Sequence, residues 1–356
     1  MRPLHLLALS ILLGAPALAA PPRESHDTAA LNAVARQLAG VDTTSQDKAY
    51  QAHAKAMQKA WKQVDQGRLL KMRAWAKREL GALEKEGYVF YPFSGPDSLH
   101  QITFFPAATS SVLCGLEKVG ALPDLAALSP EERAKELGQI RGSLTASLNY
   151  SFFKTNDMKV DLKDHALAGV LPILYTYAAL LGDELKSVEL LKLDGEGNLV
   201  AAGPGASAAR LTFTVPGSAQ VHTLVYFCWD LSDSGLKGPG EAFLKFARKG
   251  GRGVTYLKSA SYLMHSPGFS AIRGFILQNS KAVLQDDSGI PHRFFKAEAW
   301  TAKPYGVYDG PIRLFKERGQ EDLKALYGPD SKPLGFGIGY KFRGDTSNLA
   351  LYTAKK

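Results

Sequence analysis

The chain has 356 residues but only two cysteines, Cys114 and Cys228. It also lacks a run of apolar residues long enough to cross a bilayer. Two cysteines exclude a disulfide-rich scaffold and allow at most one disulfide. Both lie in strand-like stretches, so a pair of buried thiols is the alternative to that disulfide. Neither cysteine has a neighbour at metal-ligand spacing, and we expect no metal site of that kind.

Several motifs that would name a function are also missing. The chain has no glycine-rich phosphate loop, no Gly-x-Ser-x-Gly elbow, no internal repeat and no low-complexity segment. Acidic residues number 34 against 43 basic ones, which gives a net charge of +9. No nucleic-acid-binding motif accompanies this positive charge. We therefore expect a basic protein that does not bind nucleic acid, and the sequence names no cofactor.

The first 20 residues have the pattern of a secretory signal peptide. Arg2 supplies a short basic region, residues 4–13 are mostly apolar, and Ala17 and Ala19 form a small-x-small cleavage site. The apolar run is too short to serve as a stable membrane anchor. The sequence therefore predicts an exported protein, periplasmic or secreted.

Residues 86–120 form the stretch around which the chain is organised. Residues 89–91 are aromatic and β-branched, residues 94–97 have turn chemistry, and residues 98–105 can form a short helix that Pro106 ends. An apolar strand follows and is closed by Glu117. This pattern predicts a βαβ unit with two parallel strands.

Strands alternate with helices over residues 88–290. This alternation predicts an α/β fold with a Rossmann-like, three-layer, mixed and mainly parallel sheet. A hairpin at 211–229 and late strands at 300–308 and 335–342 make the sheet mixed. We expect a signal peptide at 1–20, a helical N-terminal segment at 21–85 that Gly67 divides, and an α/β domain at 86–356.

Polar residues follow each strand of the predicted sheet. Ligands of open parallel sheets bind beyond the carboxyl ends of the strands. The first hypothesis is therefore a binding protein that holds a small polar or anionic ligand there. Its candidate ligand-binding residues are Ser94, Asp97, Glu117, Asp230, Lys258, Ser259, Tyr262, His265, Asp286 and Asp287.

Two other functions are compatible with the same residues. A hydrolase would need a serine nucleophile, a histidine base and an orienting carboxylate within hydrogen-bond reach. The candidates are Ser94, Ser259 and Ser261, then His100, His265 and His292, then Asp97, Asp230, Asp286 and Asp287. An envelope interaction protein would instead bind a protein partner through a basic helical face. That face comprises Arg68, Lys71, Arg73, Lys77 and Arg78.

Three further patterns have simpler structural interpretations. Asp286 and Asp287, with a histidine, are possible oxygen and nitrogen ligands, but adjacent carboxylates point apart and the pair fits a turn better. Ser151 and Lys154 match Ser-x-x-Lys without its companion motifs. The alternating glycines of residues 335–340 are typical of a close backbone approach rather than a phosphate loop.

Two resemblances follow from these residues. With Asp97 after the first strand and Glu117 after the second, residues 86–120 resemble the first unit of Rossmann-like methyltransferases. They lack that family's glycine-rich motif, and the resemblance implies a fold only. Residues 256–295, with YPFSGPD and GLEKVG, look like a group of uncharacterised exported bacterial proteins. That resemblance implies an exported single-domain protein and assigns no activity and no functional residue.

Overall fold

The computed structural model describes residues 27–42, 44–150, 167–202, 205–328 and 331–355. The predicted signal peptide and the pair Ser151 and Lys154 lie outside these residues. The fold is mixed α/β, as the alternation of elements predicts. The helices are α1 (Thr28–Ala39), α2 (Lys48–Val64), α3 (Leu70–Glu79), α4 (Ser98–Phe104), α5 (Pro130–Tyr150), α6 (Leu171–Leu181), α7 (Glu241–Lys249), α8 (Ser270–Asn279) and α9 (Glu321–Leu326).

The described strands form one ten-stranded sheet in the order β4-β3-β5-β6-β2-β1-β7-β8-β10-β9. Five neighbouring strands, from β6 to β8, run parallel, and antiparallel strands extend the sheet at both ends. A mainly parallel sheet is not confirmed, because four of the nine pairings are parallel and five are antiparallel. The strands are β1 (Tyr88–Tyr91), β2 (Ser110–Gly115), β3 (Glu184–Leu193), β4 (Leu199–Ala201), β5 (Ala208–Thr214), β6 (Val221–Cys228), β7 (Gly253–Leu257), β8 (Ser280–Gln285), β9 (Trp300–Gly306) and β10 (Asn348–Ala354).

The predicted βαβ unit is confirmed. β1 and β2 pair in parallel, with Val89 opposite Ser111, and α4 connects them. The predicted hairpin is confirmed as antiparallel β5 and β6. Alternate side chains of β1 enter two separate apolar cores, Val89 on the face covered by α1–α6 and Phe90 on the face covered by α7 and α8. The sheet is therefore buried on both faces, as its parallel strands require.

The N-terminal helix α3 contacts β9, the strand at one edge of the sheet. Gly67 does not separate two helices, because Asp65–Leu69 forms a π-helical turn that joins α2 to α3. Trp75 of α3 packs edge-on against Tyr305 of β9 at 4.9 Å between ring centroids. Glu79 accepts a hydrogen bond from Lys303 at 2.9 Å. These contacts place α3 against β9, although the contacting residues are at least 224 positions apart in the chain.

Two late predictions differ from the structure. Residues 335–342 are not a strand, since Gly335 and Gly339 have left-handed φ values of 73° and 67° that interrupt an extended chain. The last strand is instead β10, which lies between β8 and β9 and was missed. Pro172 lies in the first turn of α6, which begins at Leu171, and this is a position that proline favours.

Long apolar helices are missing from the described part of the chain. In those residues, no helix combines the length and the hydrophobicity that crossing a membrane requires.

Candidate functional site

The chain reverses its direction across the sheet between the neighbouring strands β1 and β7. From β1 the chain passes through α4 to β2 on one side, and from β7 it passes through α8 to β8 on the other. The two helices lie on opposite faces, since Leu99 of α4 and Ile272 of α8 belong to different cores. A crevice opens beyond the carboxyl ends of strands at such a point.

A cavity of about 650 Å³ occupies this crevice, and we call it the strand-end cleft. Its volume lies in the range of small-molecule sites. The loops that follow β1, β2, β6 and β7 form it, together with residues 312–315 and Tyr340. Six of the ten predicted ligand-binding residues line it: Ser94, Asp97, Glu117, Asp230, Lys258 and Ser259. The other four, Tyr262, His265, Asp286 and Asp287, are not in its lining.

A buried charged cluster forms one end of the cleft. Asp97 caps the N-terminus of α4 and receives Lys258 Nζ at 2.6 Å, His100 Nδ1 at 2.7 Å and the Tyr91 hydroxyl at 3.0 Å. Burial opposes ionisation of Asp97, but the contacts with His100 and Lys258 outweigh it and lower the pKa of the carboxyl. Burial lowers the pKa of His100 to about 4, so its neutral ring donates from Nδ1. The Lys258 charge is therefore already matched by Asp97.

Glu117 lies at the point where the loop after β1 approaches the end of β2. A Cβ on Gly115 would overlap the Glu117 carboxylate and would lie 2.8 Å from the Gly95 Cα. Tyr226 donates its hydroxyl to the Glu117 backbone carbonyl at 2.8 Å and contacts the carboxylate Oε2 at 3.3 Å. Two glycines therefore make the room in which this buried carboxylate faces the cleft.

Apolar side chains form the opposite walls of the cleft. Phe93 packs edge-on against Phe269 at 5.9 Å, and Trp229 stacks on Phe243 at 6.0 Å. Leu116 is 51% exposed and Leu314 is 77% exposed, two of the five large apolar side chains at the surface of the described chain. Sequence reasoning missed Leu314 and Tyr340, because Leu314 does not directly follow a predicted strand and Tyr340 lies within residues 335–342, which the sequence predicts to be a strand.

Backbone strain is concentrated in the same loops. Among the described residues, four other than glycine have a left-handed φ: Phe93, Ser259, Ser261 and Tyr262, between 52° and 61°. Phe93 follows β1, and the other three follow β7. Such conformations are costly for residues with a Cβ, and they cluster at functional sites.

Asp286 and Asp287 are fully engaged behind the cleft. Asp286 accepts hydrogen bonds from the Ser259 backbone at 2.9 Å and from the Ser288 hydroxyl at 2.5 Å. Asp287 accepts from the Tyr262 hydroxyl at 2.5 Å and from Asn348 at 3.0 Å. Burial raises the pKa of Asp286 to about 7, with the neighbouring Asp287 charge adding to the shift. Asp287 therefore links the strained loop after β7 to the first residue of β10, and Asp286 links the same loop to the turn after β8.

The structure provides no assembled hydrolytic or metal site in the residues it describes. Across those residues, no serine hydroxyl is hydrogen-bonded to a histidine ring: His100 contacts Asp97 and Lys258, and His292 contacts the Tyr352 hydroxyl. Nor does the described chain contain a group of three or more His, Cys, Asp or Glu side chains placed to hold a metal ion. The two cysteines are free, and they belong to opposite faces of adjacent strands β2 and β6.

The predicted basic face does not present five free charges. Arg68 turns inward and donates to the Leu148 carbonyl at 2.9 Å. Arg73 pairs with Asp65 at 2.6 Å, and Arg78 pairs with Glu79 at 2.9 Å. Lys71 and Lys77 remain exposed.

No family model matches the chain, and it matches no curated protein and no solved structure. The two resemblances seen in the sequence therefore stay expectations. The functional argument rests on the chemistry of the strand-end cleft.

Proposed function

We propose that the protein binds a small polar ligand in the strand-end cleft, and that this ligand carries hydroxyl groups on a flat or apolar frame. Nucleosides and aryl glycosides are the compound classes that combine these features. The observation that carries the proposal is the concentration of left-handed, strained residues in the two loops that line the cleft. Strain of this kind persists where a site is preorganised for a partner.

The charges of the lining favour hydroxyl groups over an anion. Three carboxylates, Asp97, Glu117 and Asp230, line the cleft, and the ammonium group of Lys258 is paired with Asp97. An anionic ligand would face uncompensated negative charge. Carboxylate oxygens are hydrogen-bond acceptors, so they suit the hydroxyl donors of a sugar.

The apolar wall of the cleft favours a ligand that has a flat or apolar frame. Leu314 and Leu116 expose apolar surface at the cleft, beside Phe93 and Trp229. Exposed apolar patches beside polar groups are typical of binding sites. A flat ring bound there would cover this surface while its hydroxyls reach Glu117.

The Rossmann-like fold and the location outside the cytoplasm are parts of the same proposal. The five parallel strands follow the order third, second, first, fourth, fifth, which is the doubly wound arrangement of Rossmann-like sheets. The signal pattern of residues 1–20 supports export of the protein from the cytoplasm. Measuring the intact mass of the protein purified from its natural host tests the location. A chain that begins near residue 21 supports export, and a chain that retains residues 1–20 contradicts it.

A thermal-shift screen tests the ligand. We expect nucleosides or aryl glycosides to raise the melting temperature, and their phosphorylated forms to do so less. A ligand at about 100 times its dissociation constant adds about 2.7 kcal/mol to the free energy of unfolding. Hits should weaken in Glu117→Gln and in Leu314→Ser, and remain unchanged in Glu298→Gln, an exposed carboxylate outside the cleft.

Two results would contradict the proposal. One is a set of hits that Glu117→Gln and Leu314→Ser leave unchanged, and the other is a consistent preference for the phosphorylated forms. Labelling of Ser94, Ser259 or Ser261 by a serine-reactive phosphonate would instead support the hydrolase hypothesis.

A further inference from the structure

A second cavity lies at the opposite edge of the parallel strands, and we call it the amino-end pocket. Its volume is about 450 Å³. It is enclosed by α3, the loop after α4, the end of α6 and the turn between β5 and β6. The first residues of β1 and β7 form its inner wall. It shares no lining residue with the strand-end cleft.

The walls of the amino-end pocket are mainly apolar. Leu80, Leu83, Ile102, Phe105 and Val215 contribute to them. The volume is sufficient for a small aryl-alkyl or alkyl group. Burying such a group would favour binding, because it removes apolar surface from water.

One acidic side chain in this wall has an unsatisfied oxygen. Asp183 follows the left-handed Gly182 at the end of α6 and is 7% exposed. Its Oδ2 is buried and has no hydrogen-bond partner. A buried carboxylate without a donor is unfavourable by several kcal/mol. Burial accordingly raises the pKa of Asp183 to about 7.

The nearby basic residues do not form an ion pair with the Asp183 carboxyl group. Arg73 lines the pocket but forms its ion pair with Asp65. Lys77, also in the lining, forms no ion pair with Asp183. Within the described chain no side chain donates to Asp183 Oδ2, so this oxygen is available as the acceptor for a donor group of a ligand.

We propose that the amino-end pocket binds a second ligand, a primary amine on an apolar frame, whose ammonium group pairs with Asp183. The apolar frame occupies the wall formed by α3, α4 and the β5–β6 turn. The ammonium supplies the hydrogen bond and the charge that Asp183 lacks. A carboxylate on the same frame would meet Asp183 with a like charge.

Three matched probes test the proposal: 4-phenylbutylamine, 4-phenylbutanol and 4-phenylbutyrate, titrated calorimetrically into the purified protein. We expect the amine to bind about tenfold or more tightly than the alcohol, which is the range of a charge-assisted hydrogen bond. We expect the carboxylate to bind most weakly. Below about pH 7 the amine should release a proton from Asp183, seen as a dependence of the heat on the buffer's ionisation enthalpy.

Three variants complete the test. Asp183→Asn should erase the preference for the amine over the alcohol, and Val215→Trp should abolish binding of all three probes by filling the pocket. Asp230→Asn, in the strand-end cleft, should leave the binding unchanged. Equal binding of amine and alcohol by the wild-type protein, tightest binding of the carboxylate, or no amine binding at all would each overturn the proposal.

The pH dependence of stability shows whether Asp183→Asn is folded and whether the wild-type carboxyl is buried as described. Since the pKa of Asp183 is raised by folding, its contribution to stability is present at low pH and lost as pH rises toward 7. The variant should be folded, and between about pH 4 and pH 7 it should lose less stability than the wild type.

Discussion

Lys258 Nζ lies 2.6 Å from Asp97 Oδ2, and both side chains are 2% exposed. The pair connects the end of β7 to the N-terminus of α4, across the point where the chain reverses its direction in the sheet. It therefore belongs both to the framework of the cleft and to its lining. For this reason neither residue is a clean probe of ligand binding.

Replacing Lys258 with methionine should destabilise the protein. The substitution leaves the Asp97 carboxylate buried without its cation, and we expect the free energy of unfolding to fall by about 3–5 kcal/mol. Urea denaturation measures the loss. Lys186→Met, which removes an exposed pair with Glu184, should change the free energy by at most about 1 kcal/mol.

The double variant Asp97→Asn, Lys258→Met tests whether the two side chains stabilise the protein as a pair. It should be more stable than Lys258→Met alone, because no unpaired charge remains buried. Additive losses in the two single variants would show that the two side chains act independently.

Gly115→Ala should disturb the cleft without changing its charges. The added Cβ would overlap the Glu117 carboxylate and press on Gly95, so we expect a loss of about 1–3 kcal/mol in the free energy of unfolding. Gly274→Ala is the matched control. Nothing lies within 4 Å of its Cβ in α8, and alanine should stabilise that helix by up to about 1 kcal/mol. Equal effects of the two variants would contradict the close approach at Gly115.

His100 should contribute to stability at neutral pH and lose that contribution in acid. Folding lowers its pKa to about 4, below the value of about 6.5 in an unfolded chain. The unfolded state then binds more protons, so stability falls as pH decreases from about 6.5 through 4. In His100→Asn this part of the pH dependence should be missing, which urea denaturation at a series of pH values would show. An unchanged pH profile would mean that folding does not shift the pKa of the His100 ring.

The two cysteines should remain reduced. Cys114 is fully buried, and burial raises the pKa of its thiol well above the usual value, whereas Cys228 is half-buried on the other face of the sheet. A thiol reagent should therefore modify Cys228 first and Cys114 after unfolding. The melting temperature should be the same with and without reductant, and a drop on reduction would indicate a disulfide.

The central βαβ unit could be predicted from the sequence because each of its signals is local. The aromatic run of β1, the turn chemistry around Asp97 and the proline after α4 act within a few residues of their own positions. The capping contacts at the start of α5 are equally local, because the Ser129 hydroxyl and the Glu132 carboxylate each accept a hydrogen bond from the other residue's backbone N–H. The position of the strand-end cleft follows from these elements and from the alternation of strands and helices.

The composition of the cleft could be predicted only in part. Glu117 and Asp230 directly follow strands, and the strand-end rule identified both. Whether Asp286 faces the cleft or the loop behind it depends on Ser259 and Ser288, and no pattern along the chain gives their positions. Leu314 reaches the same cavity from a segment without strand periodicity, and Tyr340 reaches it from residues 335–342, which the sequence predicts as a strand and the structure does not form as one.

The sequence by itself determined the α/β class, the βαβ unit and the edge of the sheet where polar groups collect, because these depend on interactions between near neighbours in the chain. The tertiary structure alone decided which charges are matched and which are left without a partner. Lys258 meets Asp97 and Asp183 meets no donor because burial and distance are set by contacts between remote segments. Those contacts form only when the ten described strands have assembled into the sheet.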